Sequence, residues 1–81
     1  MEMHKQQEVL ANRIRNLCRE KGFSYYMLSY KSTVPLTTIM HILDGTTSNP
    51  GMLTIMKLCE ALNISLVEFF DTEDFSELFM K

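Results

Sequence analysis

Apolar positions recur at helical spacing through nearly the whole chain. Between residues 6 and 21, Leu10, Ile14 and Leu17 fall at i, i+4 and i+7, with Cys18 widening the stripe. Arg13, Arg15, Arg19 and Lys21 lie off it. Gly22 then suits a helix stop, where a left-handed residue is needed. Ser24 is a good N-cap for a second helix over 25–31, with Leu28 facing inward and Met27 or Tyr30 as its partners. Pro35 fits the first position of a third helix and holds Val34 extended. That helix is expected to end near Asp44, with Gly45 as its stop. Residues 45–51, GTTSNPG, are all turn formers or small polar residues. A fourth helix is expected from Pro50 to Leu62, burying Ile55, Leu58, Cys59 and Leu62, with Asn63 as its cap. Ser65 and Glu68 form an S-x-x-E capping box for a short fifth helix, LVEFF. Beyond Asp71, a further turn through Phe75, Leu78 and Phe79 completes the pattern. No segment alternates like a strand. The expectation is an all-α, compact bundle of four to five short helices.

Composition narrows the class. Eighty-one residues make a single domain over 1–81, with a core at about 6–70 and an acidic, aromatic tail at 71–81. An apolar share of 46% and a charged share of 22% are values of a globular chain, which excludes a disordered one. No apolar run nears the roughly 18 residues of a membrane span, and the polar start MEMHKQQEVL lacks a signal-peptide core, so the cytoplasm is expected. Cys18 and Cys59 sit among apolar neighbours and read as reduced, buried thiols. Neither His4 nor His41 has ligand-like spacing to them, so no metal is expected. Seven methionines indicate adaptable packing rather than a cofactor site. No paired-carboxylate, Ser-His-Asp or Cys-His arrangement points to an enzyme.

The third helix carries two different faces. Val34, Ile39, Ile42 and Leu43 can sink into the core, while Leu36, Thr37, Met40, His41 and Asp44 share the opposite side. A core-anchored helix with a compact, mostly polar outer face is what entry into a DNA major groove requires. That face has no Arg or Lys. The net charge of −2 is uneven: residues 1–70 carry seven Lys and Arg against six Asp and Glu, and residues 71–81 carry four acids and one lysine. The front part is thus mildly basic, and phosphate attraction is modest.

With this layout the chain resembles the Cro/C1-type helix-turn-helix family, also called the XRE family. The resemblance covers roughly residues 9–70. It rests on the first stripe ending in REKGFS, the LSYKSTV turn, the TTIMHILDG helix, and NPGMLTIMKLCEALNISLVEFF, in order and correctly spaced. It implies a lambda-repressor-like DNA-binding domain and a repressor that binds double-stranded DNA as a homodimer, with the third helix in the major groove. By position it places Leu36, Thr37, Met40 and His41 at base edges. It places Tyr25, Lys31, Thr38, Thr46, Thr47, Ser48 and Asn49 at phosphates, with backbone amides and Arg15 or Arg19 adding affinity. Many members pair an arginine of the first helix with a glutamate late in the third. Arg13 matches the arginine, but Leu43 stands in the glutamate's place, so a buried Arg13 needs another acceptor, for which Asp44 is a candidate.

Two further expectations concern partners. Phe75, Leu78 and Phe79 share i, i+3, i+4 spacing and, with Phe70, either cover their own core or form a dimer contact. The alternative function is a protein-interaction module that keeps the helix-turn-helix fold and has weak or no DNA binding, favoured by an uncharged third helix that exposes Leu36 and Met40.

Overall fold

The structure is a computed structural model that describes residues 3–47 and 49–78. Six helices follow in order among those residues: α1 (Lys5–Lys21), α2 (Tyr25–Ser32), α3 (Leu36–Asp44), α4 (Met52–Leu62), α5 (Leu66–Phe70) and α6 (Glu73–Glu77). Their ends follow from local chemistry. Gly22 and Asn63 both take the left-handed conformation, at φ 71° and 59°. Each is followed by the same closure: Phe23 N–H donates to the Cys18 carbonyl, and Ile64 N–H to that of Cys59. Ser24 and Ser65 cap α2 and α5 through their Oγ atoms, which accept from Met27 N–H and Glu68 N–H. For Ser65 and Glu68, that bond is the half of the expected capping box the structure shows.

Three boundaries and one stripe differ from the sequence reading. Pro35 is the N-cap of α3 rather than its first helical residue: its ψ of 142° is extended, and its carbonyl accepts the first helical bond from Ile39 N–H. Gly51 caps α4 with an extended backbone, so the helix starts at Met52 and leaves Pro50 outside. Ser32 extends α2 by one residue beyond Lys31. In α1 the buried residues are Val9, Ala11, Ile14, Leu17 and Cys18, and Leu10 is only partly covered.

The core is one cluster. Ile14, Leu28, Ile39, Ile42, Leu58, Leu62 and Phe69 are essentially inaccessible at its centre. The two free cysteines are buried in the same cluster, where burial pushes both thiols up from their ordinary range. α3 lies against α1 and α2, and α2 also packs on α4. Because α2 is short and flanked by two helices, it turns inward only a narrow stripe of Tyr25, Leu28 and Ser32. Met27 and Tyr30, expected beside Leu28, fall off that stripe and face solvent.

The tail joins this core. Phe75 is buried, with its ring centroid 4.9 Å from that of Phe70 and 6.1 Å from that of Phe69. Phe70 meets both other rings edge-on, a favourable way to close a thin core. Phe75 therefore covers its own chain and is not free for a partner. Phe70 and Leu78 remain partly accessible, and Phe79 lies outside the described residues.

Candidate nucleic-acid interface

The inner and outer faces of α3 separate cleanly. Ile39, Ile42 and Leu43 are buried. On the opposite side Leu36 is 38% exposed and Met40 42%, and Thr37, His41 and Asp44 are exposed beside them. The i, i+4 spacing arranges the outer face as two adjacent ridges, Leu36–Met40 and Thr37–His41. The structure thus brings the four expected base readers together on one accessible surface.

The turn before α3 is tight and strained. Thr33 takes φ 59°, an uncommon conformation for a β-branched residue. Two hydroxyls of α2 hold it through Val34. Ser32 Oγ accepts from Val34 N–H at 3.2 Å, and Ser29 Oγ donates to the Val34 carbonyl at 2.7 Å. These bonds fix the angle between α2 and α3, which sets how far α3 stands out.

The end of α3 is braced by α1. Arg15 Nη2 donates to the Leu43 carbonyl at 2.8 Å, placing a cation at the negative end of the α3 dipole. Gln7 Nε2 donates to the carbonyls of Gly45 and Thr47, at 3.1 and 3.5 Å, while its Oε1 accepts from His4 N–H. Met3 packs over Gly45, whose φ of 83° and lack of a side chain the close approach requires. Asp44 Oδ1 accepts from Thr46 N–H at 2.8 Å. The Thr46 hydroxyl and amide hold the Asp44 carboxyl below the usual carboxylate range, so it is ionised at neutral pH.

These bonds change the expected roles. Arg15 is bonded within the chain, through Nη2 to the Leu43 carbonyl and through Nη1 to Asn12 Oδ1. Arg13 does not turn to Asp44: its Nε and Nη2 donate to the carbonyls of Phe69 and Glu68 at 2.7 and 2.9 Å, and its guanidinium lies over the Phe69 ring. Leu43 is buried and offers Arg13 no acceptor side chain, and Arg13 caps α5 instead. The amides expected to bind phosphate in the loop are partly taken: Thr46 N–H by Asp44, and Thr47 N–H by the His41 carbonyl. The Thr46 side chain and Asn49 are exposed, Thr47 is half-buried, and Ser48 lies outside the described residues.

The remaining expected contacts are dispersed. Tyr25, at the start of α2, is half-buried against the core. Thr38 is half-buried on the flank of α3. Lys31 is exposed, with its ammonium 5.8 Å from the Phe23 ring centroid, and Arg19 donates to Asn16 Oδ1. Sequence reasoning did not find Gln7. Its only signal is its position three residues after the cap, since the bonds to Gly45 and Thr47 join segments about 40 residues apart. It also missed Tyr26 and Tyr30, which stand one turn apart on α2 at 72% and 80% exposure.

Among the described residues no cluster of three or more His, Cys, Asp or Glu side chains is placed to hold a metal ion, and no helix is long and apolar enough to cross a membrane. No curated protein and no solved structure matches the chain. A family model described as the Cro/C1-type HTH DNA-binding domain matches residues 13–74, a span that runs from Arg13 through the α2–α3 turn, the outer face of α3 and the Phe69–Phe70 pair to the start of α6. The chain belongs to the Cro/C1-type helix-turn-helix family of DNA-binding transcription regulators.

Proposed function

We propose that this chain is a sequence-specific repressor that binds double-stranded DNA as a homodimer, with α3 in the major groove. The observation that supports it best is the isolated outer face of α3, held clear of the core by the Thr33 turn and the Arg15–Leu43 brace. Thr37 and His41 are the hydrogen-bonding readers of this face; Lys31 and Asn49 are the accessible phosphate contacts, while the Thr46 donors are held by Asp44. Thr37→Ala and His41→Ala should each weaken binding to a selected site by roughly 1–3 kcal/mol while sparing random duplex. Equal losses on both duplexes would show that these residues do not specify sequence.

For the dimer, a surface near the tail is the best support. A groove of about 550 Å³ between α1, α4 and α6 is lined by Leu10, Met52, Ile55, Phe70 and Leu78, and its wall is mostly apolar. Met52→Glu puts a charge on its exposed rim, and light scattering should then report a monomer mass. An unchanged dimer mass would place the interface elsewhere.

A second reading, a protein-interaction module, is favoured by Tyr26 and Tyr30. Exposed tyrosines one turn apart are enriched at protein interfaces. Titration of random duplex with salt separates the readings. A DNA binder loses affinity as salt rises, in proportion to the phosphates it neutralises. No binding at low salt would favour the module.

A further inference from the structure

We propose that α3 recognises its DNA mainly through the C5-methyl groups of thymines, with Leu36 and Met40 as the methyl readers; this rests on the DNA-binding reading above. The segment Leu36–Asp44 contains no Arg, Lys, Asn or Gln, the side chains that make bidentate bonds to guanine or adenine. Asp44, which elsewhere accepts from a cytosine amino group, has Oδ1 already bonded to Thr46 N–H. Arg15, the arginine tied to this helix, is bonded to the Leu43 carbonyl. His41 and the short hydroxyl of Thr37 are then the hydrogen-bonding groups of the face, and two partly exposed apolar side chains dominate it.

In the major groove the apolar feature that distinguishes one base from the others is the thymine methyl. A leucine or methionine set against it buries apolar surface from both partners. Set against a guanine or cytosine edge, it strips polar atoms of water and returns no bond. The face therefore selects for thymine and against the bases its side chains cannot satisfy. Leu36 and Met40 lie four residues apart, about 6 Å along the helix axis. Base pairs rise by about 3.4 Å, so the two methyls should sit about two base pairs apart.

The test uses the full chain and a duplex selected from a random library for binding to it. Each thymine of the selected duplex is replaced singly by deoxyuridine, which removes the methyl and keeps the base pair. In each half-site, two positions about two base pairs apart should each lose about fourfold in affinity, the factor for one buried methyl-sized group. Leu36→Ala should abolish the deoxyuridine effect at one position of each half-site and Met40→Ala at the other. Both residues are exposed, so the fold is kept. A selected duplex that binds equally well after every thymine replacement overturns the methyl assignment and leaves the DNA-binding reading intact. Failure to retain any duplex overturns both.

Discussion

α1 and α3 differ in what they do with charge. α1 holds Arg13, Arg15, Arg19 and Lys21, and directs two of these guanidinium groups at the carbonyl ends of other helices. α3 holds no arginine or lysine and presents leucine, threonine, methionine and histidine. A helix-turn-helix protein is usually expected to place its cations where phosphates are. Here Arg13 and Arg15 stabilise helix ends by donating to their carbonyls, and the outer face of α3 is left without a cation of the lysine or arginine type, with the ionised Asp44 at its end. Affinity on such a surface depends more on fit to the groove than on charge neutralisation.

The largest expected effect contrasts the two faces of α3. Ile39 is fully buried, so Ile39→Ala should cost roughly 2–5 kcal/mol of stability in chemical denaturation. Leu36→Ala, one turn away on the outer face, should stay within about 0.5 kcal/mol. A comparable loss for Leu36 would mean that the outer face is covered by the protein itself.

The next contrast concerns the arginines. Arg15→Ala and Arg13→Ala each leave helix carbonyls without a charged donor, and each should cost about 1.5–3 kcal/mol if the bond is fully realised, less where water replaces it. Denaturant midpoints measure this. A variant of full stability whose binding to random duplex is weaker would return the arginine to a phosphate role.

The smallest change is a gain. Thr33 is a β-branched residue held at positive φ, and Thr33→Gly should stabilise the fold by about 1 kcal/mol through relief of that strain. A loss would show that the Thr33 side chain contributes more to the turn than its backbone strain costs.

The core was largely legible in the sequence because it is built from local periodicity. Ile14, Leu28, Ile39, Ile42, Leu58, Leu62 and both cysteines lie where their spacing puts them. So does the outer face of α3, since a helix with one buried side must expose the other. What sequence could not supply are contacts between distant segments. Arg13 on the α5 carbonyls, Arg15 on Leu43 and Gln7 on the Gly45 loop have no periodic signature, because a polar residue off the apolar stripe reads the same whether solvated or bonded to a carbonyl. Met27 and Tyr30 were misplaced for a related reason. In a helix as short as α2 the inward stripe is too narrow for periodicity to fix, and packing between α3 and α4 decides it.

The most direct test of the division between α1 and α3 is backbone amide chemical-shift mapping by NMR, with the full chain titrated against its selected duplex. The account predicts the largest shifts at Leu36, Thr37, Met40 and His41, smaller ones at Thr46 and Asn49, and little change at Tyr26 and Tyr30. Strong shifts at Tyr26 and Tyr30 with Leu36–His41 unmoved would contradict it.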